Sequence, residues 1–190
     1  MDAIIEGIVR VDVVAAVVVL IVFPLGFLLT SLGSRPVGQR LLVYWRASSL
    51  LAITVYLLSA EWTLGYVTGP LALFFIPAAL WWGDALYDPG QDPLPKRTQL
   101  ATVYRYWRAV AALLCAVSLP FILPAVPCAF GGASTLFCEL WITLPQEYFA
   151  FVHGSADPAP FGQAALGGLG LYAVYAVASA GRLYRQRVRA

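Results

Sequence analysis

Few residues in this sequence combine a reactive type with a telling spacing. Cys128 and Cys138 are the sharpest pair, since both fall in one loop between hydrophobic runs. On an oxidising side of a membrane they are expected to close as a disulfide, which stabilises by limiting the unfolded loop. Two free thiols are the alternative. Zinc is not expected, because only His153 could join them and a structural site takes four ligands. Cys115 sits inside a hydrophobic run and reads as a small packing residue.

A second feature is a repeat. Tyr44-Trp45-Arg46-Ala47 recurs as Tyr106-Trp107-Arg108-Ala109, each copy at the start of a hydrophobic run. Trp and Tyr favour the headgroup level of a bilayer, and Arg reaches toward phosphate. Tyr44, Trp45, Arg46, Tyr106, Trp107 and Arg108 are therefore expected to anchor lipid or a headgroup. A plain interface belt and a specific lipid or pigment site both fit. Asp84 stands at a similar depth, so an intramembrane ion pair of Asp84 with Arg46 or Arg108 is expected. Glu61 has only Arg10 as a basic counterpart on its side and is read as a headgroup-level residue.

The remaining chemistry is sparse. His153, with Glu147 and Asp157 nearby, is the one acidic–imidazole grouping, and a solvated loop accounts for it. One histidine cannot make a bis-His haem site, and C-x-x-C-H is absent. No P-loop, G-x-G-x-x-G, H-E-x-x-H or G-x-S-x-G motif occurs. No catalytic residue and no metal ligand set is assigned. Contact with chlorophyll, carotenoid or lipid stays open.

These residues must be positioned by membrane helices. The chain has 190 residues, 61 % hydrophobic and 12 % charged, with mean hydropathy +0.77. A soluble domain carries about 25 % charge. Disordered and nucleic-acid-binding classes are excluded. The expected fold is an all-α integral membrane bundle of five spans. They run Val13–Leu32, Leu41–Ala60, Pro70–Leu86, Ala109–Val126 and Phe161–Ala180. Pro70–Leu86 is the shortest, about 25 Å long as a helix, with Pro70 at its first position. Kinks are expected at Pro24, Pro77 and Pro120.

Charge sets the orientation. Every basic residue but Arg10 falls in 33–46, 87–108 or the tail 182–189. Asp2, Glu6, Asp12, Glu61, Glu139, Glu147 and Asp157 fall on the other side. The positive-inside rule then puts the N-terminus outside and the C-terminus in the cytoplasm.

The outside loop 127–160 is long but apolar. Leu136, Phe137, Leu140, Trp141 and Leu144 recur at helical spacing, and Pro145 opens a second piece that Gly154 stops. Two amphipathic segments lying on the membrane are expected. Phe137, Trp141 and Tyr148 would form an outer docking surface, or else cover the bundle's own end. In the last span, small residues such as Ala164 and Gly168, with Tyr172 and Ala176, could pack a partner helix or a helix of the same bundle.

Three segments carry a family resemblance. They are the second-span stretch Tyr44-Trp45-Arg46-Ala47-Ser48-Ser49-Leu50 continuing to Leu58, then Ile76-Pro77 with Leu80-Trp81-Trp82-Gly83-Asp84, and Pro127-Cys128-Ala129-Phe130 followed by Cys138. The chain resembles an uncharacterised cyanobacterial family of small multi-span membrane proteins, a domain-of-unknown-function family. The resemblance carries no activity and no catalytic residues. It implies a thylakoid or plasma membrane of a photosynthetic bacterium. The expected function is non-enzymatic: binding another membrane complex, as an accessory subunit or assembly factor of a photosystem. Alternatives are a small oligomeric transporter or channel with a watery path past Glu61 or Asp84, and a membrane enzyme of lipid or pigment metabolism.

Overall fold

The computed structural model describes residues 2–30, 35–82, 99–131 and 136–189. All regular structure among them is helical. Helix α1 (Asp2–Val17) runs through a π turn, Val18–Val22, into α2 (Phe23–Thr30). Then follow α3 (Arg35–Ser59), α4 (Gly65–Trp82) and α5 (Gln99–Ile122), which tightens into a 3-10 run, Leu123–Phe130. Helices α6 (Leu136–His153) and α7 (Ala159–Arg189) complete the fold. Four segments are long and apolar enough to cross a membrane: Gly7–Leu29, Arg40–Ser59, Gln99–Phe130 and Ala159–Gly181. The chain is thus an all-helical protein of membrane type.

Helix α4 is shorter than those four. It also begins five residues before the expected Pro70, so Pro70 and Pro77 both lie inside it. Its start is set by the preceding turn, where Glu61 takes a left-handed φ of 61° and the chain reverses out of α3. Backbone bonds from Glu61 to Leu58 and from Trp62 to Leu57 close that reversal. The far end of the expected span, including Asp84, lies outside the described residues.

Two other boundaries moved. The first span does not begin at Val13, because the helix already includes Asp12. Where two separate segments were expected around Pro145, α6 continues through it as one helix. Inside a helix a proline removes one N–H, and side chains of neighbours can take over the freed carbonyl. Gly154, at φ 65°, ends α6 in the left-handed conformation that glycine adopts without strain. Asp157 Oδ1 then accepts the N–H of Ala159 at 3.0 Å and starts α7. This capping role accounts for Asp157 without any link to His153.

Helix α3 is the hub. It packs against α4, α6 and α7, while α4 also packs on α5 and α1 on α5 and α6. The inward stripe of α5 is Ala101, Tyr104, Trp107, Ala111, Cys115, Ser118 and Ile122, spaced by three and four. Leu20, Leu41, Tyr44, Leu57 and Ile76 are fully buried against it or beside it. Large apolar residues cover the outside, among them Leu113, Leu171, Val174 and Val177, as suits a surface facing lipid.

Candidate functional site

The best-defined polar feature lies where α1 meets the two tetrapeptides. Pro24 has no N–H. In an α turn that missing donor would serve the carbonyl of Leu20, and in a π turn that of Val19. Both carbonyls are capped from other helices. Trp107 Nε1 donates to Val19 O at 2.8 Å, and the Tyr44 hydroxyl donates to Leu20 O in a short bond. Tyr44 is fully buried and Trp107 is 5 % exposed. Their rings meet edge-on at 4.9 Å, and Phe27 and Tyr104 close around Trp107 at 5.6 Å each.

The tetrapeptides are therefore not two equal headgroup anchors. Tyr44 and Trp107 point into the bundle, which corrects their expected position at the lipid surface. Tyr106 is 72 % exposed and remains on the outside. One residue along a helix is about 100° of rotation. The two copies are offset by that one residue, so Tyr faces inward in the first and Trp in the second. Trp45 is half-buried, and its indole N–H is buried with no hydrogen-bond partner among the described residues.

The two arginines diverge. Arg46 lies over the ring of Tyr175 on α7 at 5.5 Å. Arg108 lies over Trp81 on α4 at 4.7 Å and donates to Leu80 O at 3.3 Å. Each planar guanidinium thus rests on an aromatic face. Whether either pairs with Asp84 falls outside the described residues.

The end of the bundle that carries the Glu61 turn is laced together. Cys128 and Cys138 form a disulfide, Cα atoms 6.0 Å apart, joining the 3-10 run to α6. The Tyr66 hydroxyl donates to Cys138 O at 2.7 Å, and Ser59 Oγ donates to Pro145 O at 2.9 Å. Glu61, exposed on its turn, accepts from Gln146 Nε2 at 3.1 Å. Arg10 pairs with Glu147 at 3.1 Å. His153 is not a solvated loop residue. Its Nε2 lies 3.0 Å from the Tyr56 hydroxyl, and its ring packs on Phe149 at 4.7 Å and Phe161 at 4.6 Å.

The expected docking surface changes accordingly. Trp141 is 7 % exposed and turned inward with Cys138 and Leu144, so it cannot meet a partner. Phe137 and Tyr148 are half-buried. On α7 the small residues divide between two faces. Gly162 is pressed against the turn that follows α3, where an added Cβ would overlap Ala60 Cβ, and a Cβ at Gly168 would meet Ile53 of α3 at 3.6 Å. Gly168 thus packs within its own bundle, while Tyr172 is half-buried with its ring 6.5 Å from that of Tyr175 on the same helix. Ala164 is exposed and Ala176 half-buried.

One residue was read from the sequence only as a charge outside the first span. Asp12 lies inside the first spanning segment and accepts a hydrogen bond from Ser118 Oγ at 2.5 Å. Its signal was the unbroken apolar run that follows it, from Val13 to Leu29 but for Pro24 and Gly26, within one helical segment.

No curated protein and no solved structure matches the chain. A family model described as "Protein of unknown function (DUF3177)" matches residues 6–190. With nearly the whole chain covered, from the first spanning helix through the capped π turn and the disulfide to the end of α7, the protein belongs to the DUF3177 family.

Proposed function

We propose that this is a non-enzymatic five-span membrane protein that binds another membrane complex through the outward face of α7. The observation that carries the reading is the coverage of that helix. α7 leans on the bundle through α3 and leaves Leu171, Val174 and Val177 more than two-thirds exposed. Lipid covers such a face by default. Gly167 and Gly170 add the distinguishing feature, because a Cβ at either would meet nothing within 4 Å. A small-residue surface that no described helix of this chain covers allows a partner helix to approach closely.

The topology follows from charge. Helix α4, about 27 Å long at 1.5 Å per residue, serves as the third span. Basic residues gather at 35–46, 96–108 and 182–189, which puts the C-terminus in the cytoplasm and the N-terminus and the disulfide outside. Helix α6 then lies at the outer interface. The resemblance to a cyanobacterial family directs the reading to a thylakoid or plasma membrane, with a photosystem as the partner and the role of accessory subunit or assembly factor.

The test is a gentle-detergent pull-down through a C-terminal tag, read by mass spectrometry and absorption. Co-elution with chlorophyll-binding subunits is expected. Gly167→Leu and Gly170→Leu should each reduce it at least several-fold while the protein still inserts and folds, since neither position touches its own bundle. Elution alone and colourless, with the photosystems intact in the same extract, sinks the reading. Gly168→Leu is unsuited to this purpose, because a Cβ there already touches Ile53 of α3 at 3.6 Å, so a larger side chain would act on the bundle's own packing.

A further inference from the structure

Among the described residues, Asp12 is a carboxylate seated against the buried stripe of α5. Asp12 lies five residues inside the edge of the segment Gly7–Leu29, about 7.5 Å along the helix. Its partner Ser118 is 3 % exposed and stands ten residues beyond Arg108 on α5, about 15 Å above that cytoplasmic landmark. The pair therefore sits against the second half of α5, four residues before its end at Ile122. Ionisable groups at such depth are costly, and they commonly mark a functional path.

The neighbours decide what the carboxylate can do. From α5 it meets the Ser118 hydroxyl, with the Cys115 thiol one turn further in and within electrostatic reach. From α6 comes Glu147, which is held by Arg10 of α1. Of the other α6 groups, Glu139 is exposed, Tyr148 is half-buried, and His153 is bonded to Tyr56. So the group bonded to Asp12 is a neutral hydroxyl and not a cation. A cation would hold the carboxylate ionised. A serine hydroxyl serves both states, donating to a carboxylate and accepting from a carboxylic O–H. Inward of Cys115, which is fully buried, lies the Tyr44 hydroxyl on Leu20 O. Protonatable groups thus continue from Asp12 toward the capped π turn.

We propose that Asp12, seated against Ser118, is a proton-binding site inside the membrane, loaded from the side that carries Arg10 and Glu147. The site is independent of any complex bound at α7. It needs no metal and no further acidic residue. Ser118 is a positioning residue that keeps the carboxyl satisfied with and without its proton.

Carbodiimides test this directly, because they add to protonated carboxyl groups. Purified full-length protein in neutral-lipid vesicles is treated with a membrane-soluble carbodiimide across a pH series, and adducts are located by mass spectrometry. Asp12 should be modified, with the yield falling about tenfold per pH unit above a single midpoint. A water-soluble carbodiimide should reach Glu139 and leave Asp12 alone. Ser118→Ala should move the Asp12 midpoint and leave the Glu139 profile in place, a readout that a merely structural serine would not alter. The proposal is overturned if Asp12 stays unmodified at every pH where the protein elutes as a folded species. It is equally overturned if both reagents modify Asp12 alike, or if folded Ser118→Ala keeps the wild-type midpoint.

Discussion

Replacing Tyr44 by Phe removes one oxygen and keeps the ring. The edge contact with Trp107 at 4.9 Å survives, so packing changes little. What is lost is the donor to Leu20 O. Leu20 is fully buried, and Pro24 offers no replacement N–H. A buried acceptor left without a partner costs about 1–3 kcal/mol. Hydrogen bonds between membrane helices measure lower, about 0.6 on average and up to about 1.7. The absence of an alternative donor puts this one near the upper membrane value, about 1.5 kcal/mol, or roughly tenfold in the folded-to-unfolded ratio. The assay is reversible unfolding in mixed micelles at rising dodecyl sulfate, followed by tryptophan fluorescence and far-UV dichroism. Pro24→Ala supplies the control. It restores an N–H at position 24, so Tyr44→Phe should cost clearly less in that background. Equal cost in both backgrounds would refute the claim that Tyr44 compensates for Pro24.

Two further outcomes are expected in the same assay. Cys128→Ser or reduction should lower stability by about 2.5 kcal/mol, from the chain-entropy model for a separation of ten. The native oxidised protein should react with no thiol reagent, and unfolding should release only Cys115, which is buried; prompt labelling of two thiols in the native state would contradict the disulfide. Gly162→Leu should destabilise by about 1–3 kcal/mol through the clash with Ala60. Gly170→Leu, which meets open space, should stay within about 0.5 kcal/mol, and an equal loss at both positions would contradict the placement of α7 on α3.

Much of the architecture was legible because apolar length and loop charge are properties of the chain itself. A run such as Leu41–Ala60 has to be helical in lipid, since every backbone group must be satisfied within the segment. The pairing of Cys128 with Cys138 was legible for a similar reason, as both lie in one short loop. Less legible was anything that depends on how far a helix is rotated. The spacing of Trp141 fitted both an outer docking surface and a cover over the bundle's own end, and only the packing turned it inward with Cys138 and Leu144. His153 read as solvated, yet Phe149 and Phe161 come from two helices to cover it.

The sequence by itself determined that this is a helical membrane chain, where most of its spans lie, and which of its loops are basic. Those follow from hydropathy and charge, which are summed along the chain. Only the tertiary structure decided what the two Tyr-Trp-Arg-Ala copies do. Identical tetrapeptides send Tyr44 inward in one copy and Trp107 inward in the other, because the neighbouring helices fix which side of each helix is covered. The same packing brings Ser118 to Asp12 across 106 residues and caps the carbonyls that Pro24 leaves open. Partners so distant in sequence leave no local pattern, since the spacing that joins them exists only once the helices are side by side.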